Sequence, residues 1–444
     1  MRFPTIKGFD EAAFQKYLKN TGWLMAGRVG SLIIKMAINI KVANYLLPQG
    51  NGLLNSSTSY IFLFTALATL GLDSFIVKEL HQSPNQRDSI LGTALWMKIM
   101  AGAACMPLIY LAWQVVPLSG IPYLFIFILS FTGLFQSFTI IDSYFQSEVK
   151  SKYIMQVQIV GNIISAAIKL ILIFWLSAEL IYFIYAYVFD VLILSLGYLM
   201  VYRKQGLHLS TWKFDRVLAK KLLGLSWPLI ISGIMVSVYM KIDVLMLKEI
   251  LGGKGAAEAG GYATVVMFSE ALNFVPVVIV SSLFPAILNA RRDDAIRYKK
   301  RLGDLFDLMV WLSLAFALFI TFSSPLIYKL FKPEYASSAP VLAVHVWGSI
   351  FVFLGVASSQ FLVAEGLSRL TFVRSTIGAI INIALNLLMI PTMGMMGTAI
   401  ATVTAYFAST FLIILIPKTR PQGIMMLKSL LLITLVRRIF SIKP

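Results

Sequence analysis

The sequence predicts an all-α integral membrane protein with twelve transmembrane helices, and three observations support this prediction. The chain has 444 residues, of which 58% are hydrophobic and only 13% charged. Apolar stretches long enough to cross about 30 Å of hydrocarbon recur along its whole length. Basic residues concentrate in every second connection between these stretches, as is typical of cytoplasmic loops. A water-soluble fold is excluded, because so apolar a chain would expose far too much hydrophobic surface.

The twelve predicted spans follow from a window of about 19 residues. Their centres lie near Ile33, Thr65, Ala104, Leu134, Ala166, Val188, Gly233, Phe274, Ala315, Val352, Ala384 and Tyr406. If the amino terminus is inside, the outward connections hold only Lys248, Lys254, Lys329 and Lys332. Both termini are therefore predicted to lie on the cytoplasmic side of the membrane. The net charge of +18 then reflects topology rather than nucleic-acid binding.

An internal repeat at an offset of 217 residues divides the chain into halves. It pairs Glu148 with Glu365, Ser151 with Ser368, Gly161 with Gly378, Ile164 with Ile381 and Ala167 with Ala384. Such a repeat predicts two six-helix bundles of equal orientation, related by a pseudo-two-fold axis along the membrane normal, around a central cavity. The predicted parts are a first bundle over 1–201, a cytoplasmic linker over 202–221, a second bundle over 222–418 and a cytoplasmic tail with a short interfacial helix over 419–444.

Basic side chains inside the spans are candidates for a substrate site. Arg28 and Lys35 are seven residues apart in the first span, so they project from nearly one side of a helix, about 10 Å apart along its axis. A cation in mid-bilayer costs roughly 2.5–3.5 kcal/mol, which indicates a watery cavity, a bound anion or an ion pair with an acid on another helix. Lys98 and Lys169 lie in the third and fifth spans. The amides in this candidate set are Asn162, Asn382 and Asn386.

Acidic residues inside the spans are candidates for coupling transport to an ion gradient. Asp190 lies mid-span among tyrosines, and either protonation or an ion pair with Arg28 or Lys35 would relieve the cost of burying it. Glu270 and Asn273 are one turn apart and precede Pro276, a combination that suits either a sodium ion or a proton, or a polar face toward the cavity. The set is completed by Asp243, near the outer end of the seventh span, and by Asp73, for which a solvated or capping role is the alternative.

Motifs for catalysis or for a resident cofactor do not occur in the sequence. Cys105 is the single cysteine, and no set of histidines and carboxylates has metal-ligand spacing. No glycine-rich phosphate loop or nucleophile motif occurs either. The sequence therefore predicts a protein that is not an enzyme and that holds no cofactor and no structural metal.

Four stretches carry a family resemblance. They are KNTGWLMAGR, ALATLGLDSFIVKEL, ILGTALWMK and FLVAEGLSRLTFVRSTIGAIINIALNLLMIPTMGMMGTAIATV. On these stretches the chain resembles the Wzx-type polysaccharide (O-antigen) flippases of the multidrug/oligosaccharidyl-lipid/polysaccharide transporter superfamily. The resemblance implies a flippase in the plasma (inner) membrane of a bacterium, which moves undecaprenyl-diphosphate-linked oligosaccharide from the inner to the outer leaflet. It further implies coupling to an ion gradient and a polysaccharide polymerase complex as a partner. It also implies that Arg28 is a cationic cavity position and that Asp73 is the acid of an LGxD motif.

One stretch departs from the family pattern. The family continues after its first span with an R-Y-L-G-P pattern and an aromatic residue before the next glycine, whereas this chain has Asn44, Leu47 and Asn51 at those places in NYLLPQGNG. The stretch is predicted to belong to an outward loop over 44–55, and its different residues leave the substrate open.

Three other functions agree less well with the sequence. A multidrug cation antiporter of the same superfamily requires an acidic pocket, whereas the first half of this chain is basic. A membrane polysaccharide polymerase is expected to carry a sizeable outer loop, and the outer loops predicted here are short. A scaffold without transport activity does not account for costly charges inside the membrane.

Overall fold

The computed structural model describes residues 11–433, which fold into α-helices joined by turns and short 3-10 helices. The helices of the first half, in chain order, are α1 (Glu11–Phe62), α2 (Thr65–Thr69), α3 (Asp73–Gln82), α4 (Arg87–Val115), α5 (Tyr123–Ser130), α6 (Thr132–Phe135), α7 (Ile140–Ser147), α8 (Ser151–Phe174) and α9 (Leu180–Lys204). Those of the second half are α10 (Arg216–Ile250), α11 (Gly255–Ser269), α12 (Phe274–Asp293), α13 (Ala295–Tyr328), α14 (Ser338–His345), α15 (Gly348–Ala364), α16 (Ser368–Phe411) and α17 (Arg420–Leu430).

Ten helical segments within the described residues are long and apolar enough to cross a membrane. Two of them, Met25–Phe62 and Arg369–Leu415, contain 38 and 47 residues. At 1.5 Å per residue, each is about twice as long as the hydrocarbon core is thick. Each also contains one residue with non-helical dihedrals, Leu47 and Gly394 respectively. The protein is therefore a multi-pass membrane protein with ten to twelve membrane helices, and the predicted twelve require two crossings from each long segment.

The predicted outward loop over 44–55 is wrong, because the chain there is helical on both sides of Leu47. Leu47 has φ 60° and ψ 171°, a region that glycine occupies almost alone. Pro48 follows, and its fixed φ is compatible with the first turn of the next helical stretch. A single residue therefore redirects the chain, and a hydropathy profile cannot distinguish this from a loop. The family pattern has glycine at this place, where leucine is strained.

Contacts between Cα atoms divide the chain into two compact units. The first unit consists of the residues up to Tyr45 together with Tyr60–Ser237, and the second of Leu46–Ser59 together with the chain from Val238 onward. The predicted bundle, linker and tail bounds at 201, 222 and 418 remain predictions.

The apolar core of the first unit lies where α3, α4, α7, α8 and α9 pack with the start of α10. Among its fully buried members are Leu72, Ile76, Ile90, Leu91, Ile140, Ile141, Tyr202 and Leu222. The connection between α9 and α10 is tied to α4, because the Asp215 amide donates to Thr93 Oγ1 at 2.9 Å and the Lys213 amide donates to the Asp88 carbonyl at 3.2 Å. The segment predicted as a linker is thus anchored to the unit.

The apolar core of the second unit is formed by α12, α13, α15, the end of α16 and α17. Its fully buried members include Phe306, Met309, Leu354, Leu362 and Met426. The tail helix α17 packs on α13, where Ser429 Oγ donates to Asp307 Oδ1 at 2.6 Å. This helix ends at Leu430. The rest of the tail that was predicted to contain an interfacial helix follows it, and residues 434–444 are outside the described range.

Backbone features recur at the offset of 217 residues that the sequence repeat predicts. Helix α8 begins at Ser151 and helix α16 at Ser368. Two residues before each start, Val149 and Gly366 have positive φ values of 57° and 72°. Positive φ returns at Ser177, after α8, and at Gly394, at the break within α16. The two copies therefore share helix starts and direction changes, residue for residue.

Gly394 also shows how a break inside an apolar segment is stabilised. Its φ of 54° and ψ of −134° interrupt the helical hydrogen bonds, so the amide groups that follow need other acceptors. Glu258 Oε2 accepts from the Met395 amide at 2.9 Å and caps the second part of α16. A β-carbon on Gly394 would lie 2.7 Å from that carboxylate oxygen, so the glycine is needed for space as well as for its dihedral angles.

We predict that Leu47→Gly stabilises the protein by about 1 kcal/mol. The substitution removes a strain of about 1–3 kcal/mol, which exceeds the entropic cost of a glycine in the unfolded chain. The measurement is the apparent melting temperature of detergent-solubilised protein by size-exclusion chromatography after heating. The matched control is Leu46→Gly, one residue earlier with ordinary helical dihedrals, which should lower the melting temperature. Lower stability of Leu47→Gly would contradict the argument.

Candidate functional site

Arg28 lies on α1 in the first unit, with its side chain exposed. In the described part of the chain it forms no ion pair and no hydrogen bond. The neighbouring Gly27 packs against the side chain of Met155 on α8, where a β-carbon would not fit, whereas Gly30 has open space around it. Gly27 therefore allows a close helix approach, which brings α1 against α8 beside the guanidinium group.

A cavity of about 290 Å³ within the first unit brings several predicted residues together. It lies between α1, α8 and α9. The predicted residues among its lining are Lys35, Asn162, Lys169 and Asp190, and Asn39, Ser165 and Tyr187 add polar groups that the sequence analysis did not select. The site is therefore built from three helices and mixes two ammonium groups, one carboxylate and several amides and hydroxyls.

The partner of Asp190 differs from the prediction. Its Oδ2 atom is 2.6 Å from Lys169 Nζ, rather than paired with Arg28 or Lys35. Lys169 also donates to Ser165 Oγ at 3.0 Å. The short connection 175–179 makes α8 and α9 antiparallel neighbours, which places the lysine within reach of the carboxylate. A reading of each helix alone could not choose among three candidate cations.

Lys35 borders the same cavity without an ion pair or a hydrogen bond in the described part of the chain. Because Asp190 is already paired with Lys169, the cavity lining has one positive charge in excess. Such a surplus in surroundings of low dielectric attracts an anion strongly. Lys35, with Arg28 two turns away on the same helix, is thus available for a negatively charged ligand.

Lys98 and Asp73 form a separate ion pair, away from the lining of this cavity. Lys98 on α4 is fully buried, while the Asp73 side chain is 53% exposed. Asp73 also lies in the first turn of α3, where the helix dipole favours a carboxylate, so the capping alternative and the ion pair apply together. A buried cation with a bound carboxylate has its charge compensated, which favours a structural role for this pair.

A second polar cluster lies inside the second unit and centres on Asp243 of α10. Asp243 is 5% exposed and accepts three hydrogen bonds: from Asn386 Nδ2 at 2.7 Å, from Thr402 Oγ1 at 2.6 Å and from the Tyr262 hydroxyl at 3.1 Å. Asn382 joins the cluster, because its Oδ1 accepts from Asn386 at 3.2 Å. None of these partners carries a positive charge, and within the described residues no ion pair involves Asp243.

The composition of this Asp243 cluster suits a hard monovalent cation or a proton. Its oxygen atoms come from a carboxylate, two amides and two hydroxyls, and Asn386 Oδ1 is buried without a hydrogen-bond partner. Oxygen donors are what hard cations prefer, and an uncompensated buried carboxylate is costly. A bound cation, or protonation of Asp243, would remove that cost.

The internal repeat identifies one position at which the two units differ in charge. Lys169 in the first unit corresponds to Asn386 in the second, at the offset of 217 residues. Lys169 places an ammonium group on the carboxylate of Asp190, whereas Asn386 places a neutral amide on the carboxylate of Asp243. The first unit thus has a cation at this repeat position. The second unit has a neutral amide there, so this position does not neutralise Asp243.

Glu270 and Asn273 lie in the turn that separates α11 from α12, just before Pro276 in the first turn of α12. Glu270 follows the last residue of α11, and its Oε1 accepts from the Tyr406 hydroxyl at 3.4 Å. Asn273 Oδ1 is buried without a hydrogen-bond partner. A broken helix whose carboxyl end meets polar groups is a recurrent way of forming a cation path in transporters.

Thr402 and Tyr262 are functional candidates that the sequence analysis missed. A single hydroxyl in an apolar helix is common and gives no signal by itself. Thr402 reaches Asp243 because the break at Gly394 separates two stretches of α16, so that Asn386 and Thr402 contact the same carboxylate. The only available indication was the polar character of the repeat positions Asn382 and Asn386.

The fold and these two clusters define a polytopic membrane protein with charged and polar sites inside its helices. The family of polysaccharide biosynthesis proteins matches residues 17–291, which is more than half of the sequence. The chain therefore belongs to this family.

Solved structures of transporters share the fold. An inward-facing multidrug resistance MATE family transporter of the MOP superfamily is 14% identical, with 89% of this chain and 99% of that chain covered and a TM-score of 0.67. The lipid II flippase MurJ in an inward closed conformation is 14% identical, with 96% and 94% covered and a TM-score of 0.68. A MOP superfamily transporter from Pyrococcus furiosus is 13% identical, with 96% and 99% covered and a TM-score of 0.66.

A curated relative matches over a shorter stretch. It is an uncharacterized membrane protein of Methanocaldococcus jannaschii, 33% identical over 103 residues, which are 23% of this chain and 20% of that protein. The chain thus matches about a fifth of the length of this relative, and the match adds a membrane protein without a stated activity.

We predict that Asn386→Lys removes the response of the protein to a cation or proton that binds the Asp243 cluster. The new ammonium group should pair with Asp243 as Lys169 pairs with Asp190, and so replace the bound cation. Wild-type protein should gain thermal stability when sodium replaces choline, or on acidification if the ion is a proton, by about 2.7 kcal/mol at a hundredfold excess over the dissociation constant. Melting of the purified protein in both buffers measures this.

Two variants serve as controls for this prediction. Asp243→Asn should also lose the response, but without the stability that the new ion pair confers on Asn386→Lys. Asn386→Met removes the amide without adding charge and should weaken the response. An undiminished response in Asp243→Asn would place the cation elsewhere.

Proposed function

We propose that the protein is a flippase that moves undecaprenyl-diphosphate-linked oligosaccharide from the cytoplasmic to the outer leaflet of a bacterial plasma membrane. Its family of polysaccharide biosynthesis proteins and a fold shared with transporters and a lipid II flippase support this class of function. The observation that carries the proposal is that Arg28 and Lys35 share one apolar helix and form no ion pair with a carboxylate among the described residues, while Lys98 and Lys169 do.

The chemistry of the substrate explains why two such cations are needed. A diphosphate cannot enter hydrocarbon without countercharge, and a guanidinium group binds phosphate oxygens through two parallel hydrogen bonds. Arg28 supplies that fork, and Lys35 supplies a flexible ammonium group about 10 Å along the helix. Side chains of the cavity beside Lys35 offer amides and hydroxyls, which suit the hydroxyl-rich sugar. The polyprenyl tail remains in the lipid throughout.

The other candidate residues divide into two roles. Lys169 and Asn162 belong with Lys35, because they line the same cavity. Asn382 and Asn386, first assigned to the substrate, belong with Asp243, because both are fully buried in its hydrogen-bond cluster. Lys98 and Asp73 pair with each other, and we assign them to holding α3 against α4 rather than to contact with substrate.

Ion coupling is proposed to act through the Asp243 cluster. A cation bound there, or a proton on Asp243, changes the charge of a closed polar site and therefore the relative stability of the two openings of the transporter. Glu270, in the break between α11 and α12, is the proposed second acid on the path of the ion. Sodium and proton are both compatible with these groups, and the buffer exchange described above separates them.

The predicted topology remains part of this proposal. It comprises twelve spans in two six-helix bundles, with both termini in the cytoplasm. Contact with a polysaccharide polymerase complex is a further part of the proposal. The rival function, a multidrug cation antiporter, has the same fold, so the fold does not distinguish the two. The surplus of cations on α1 and around the cavity of the first unit favours the flippase over the antiporter, because this surplus repels a cationic drug.

We predict that deletion of the gene causes lipid-linked oligosaccharide to accumulate on the inner leaflet. Complementation with wild type should restore export, Arg28→Ala should reduce it at least about tenfold, and Arg28→Lys should restore part of it, because one ammonium group keeps the charge but loses the fork. Surface polysaccharide and the accessibility of the lipid-linked precursor are the two measurements.

Lys41→Ala is the matched control, since Lys41 is also an exposed cation on α1. It should restore export fully, and immunoblots should show equal amounts of every variant in the membrane. Full export by Arg28→Ala would remove Arg28 from the mechanism. Unchanged surface polysaccharide in the deletion strain, when no second flippase is encoded, would contradict the function itself.

A further inference from the structure

A buried arginine in the second unit is not used by the proposed mechanism. Arg374 lies on α16 and is only 7% exposed. Its Nη2 donates to the Gly355 carbonyl at 3.0 Å and to Ser359 Oγ at 2.7 Å, while its Nη1 is buried without a hydrogen-bond partner. In the described part of the chain no carboxylate forms an ion pair with it.

The charge of Arg374 is therefore poorly compensated. A carbonyl and a hydroxyl satisfy part of the guanidinium group, but neither carries a negative charge. Removing an ion from water costs several kcal/mol unless an opposite charge or enough hydrogen bonds replace the water. Arginine stays protonated in proteins, so neutralisation by loss of a proton does not solve the problem. An anion beside the side chain would.

Space for such an anion exists next to Arg374. A cavity of about 170 Å³ is lined by Arg374, Ser359, Tyr239, Tyr406, Ser409 and Thr410, together with apolar side chains of α15. Its polar lining consists of hydroxyl groups and the guanidinium group, with no carboxylate. The volume holds several water molecules, which is enough for one tetrahedral oxyanion.

The position of Arg374 along its helix narrows the class of anion. It lies six residues after Ser368, where α16 begins, which is about 9 Å along the helix axis. Arg374 is thus within two turns of the end of the candidate membrane segment Arg369–Leu415, close to the interfacial region that contains the headgroups of membrane lipids. The planar fork of a guanidinium group also fits phosphate oxygens better than it fits a spherical ion.

We propose that this cavity is a binding site for a phosphate group, carried either by a lipid headgroup or by free inorganic phosphate. Arg374 contacts the phosphate, and Ser359 and Gly355 hold its guanidinium group in place. The site is separate from the Lys35 cavity and does not depend on the proposed flippase activity. Occupancy should stabilise the packing of α15 on α16, because both helices contribute to the cavity.

The test measures phosphate-dependent stability in the purified full-length protein after delipidation. The background is Lys35→Ala, so that the cavity of the first unit does not contribute. One arm adds potassium phosphate against potassium chloride at equal ionic strength, and the other adds micelles with or without phosphatidylglycerol. We expect the melting temperature to rise by about 4 °C at saturation in at least one arm. A rise with phosphatidylglycerol alone identifies a lipid headgroup, and a rise with inorganic phosphate identifies a site that accepts free anion.

Variants of the cavity decide whether Arg374 is responsible. Arg374→Gln should abolish the rise, while Arg369→Gln, an exposed arginine on the same helix, should keep it. If Arg374→Gln does not fold, Ser359→Asp keeps the question answerable, because it places a carboxylate where the hydroxyl now contacts Nη2. That variant should be at least as stable as its parent without phosphate and should gain nothing from it.

Two results would overturn the proposal. One is the absence of any rise in both arms with the Lys35→Ala parent, and the other is a full rise in Arg374→Gln or Ser359→Asp. A failed complementation test of Arg28 would refute the proposed function but leave these melting measurements unchanged, so the two proposals can fail separately.

Discussion

Charges inside apolar helices have to be compensated, and the internal contacts of both units are arranged around this requirement. Lys98 is compensated by Asp73 and Lys169 by Asp190, in each case by a carboxylate on another helix. Asp243 is surrounded by neutral donors, and Arg374 by a carbonyl and a hydroxyl. Because the cost of an uncompensated charge in hydrocarbon is large, the partly compensated groups are the places where ligands are expected to bind.

The two copies of the sequence repeat meet this requirement in opposite ways. At one repeat position the first unit has an ammonium group and the second has an amide, so that only the first neutralises its carboxylate internally. The excess charge is then positive around Lys35 and negative at Asp243. The proposed transport of a lipid diphosphate, driven by a cation, needs both signs on separate sites. An internal duplication that has diverged at a few polar positions provides them without a change of fold.

Breaks in the helices are the second feature on which the sites depend. Gly394 divides α16 so that Asn386 and Thr402 reach the same carboxylate, and the turn between α11 and α12 places Glu270 at a helix end. A similar change of direction occurs at Leu47 in α1, although leucine is poorly suited to these dihedral angles. Backbone groups freed at such points need partners, and Glu258 illustrates how a side chain can provide one.

Composition and periodicity were sufficient to predict a polytopic helical membrane protein and the repeat offset of 217 residues, and they selected Lys35, Lys169 and Asp243 as candidates. The reason is that the cost of burying a charge, and the period of a helix, can be evaluated along a single segment. The tertiary structure alone decided which groups pair: Asp190 with Lys169, Lys98 with Asp73, and Asp243 with Thr402 and Tyr262. Those contacts join helices far apart in the chain, and their distances depend on packing and on single-residue breaks that hydropathy does not record.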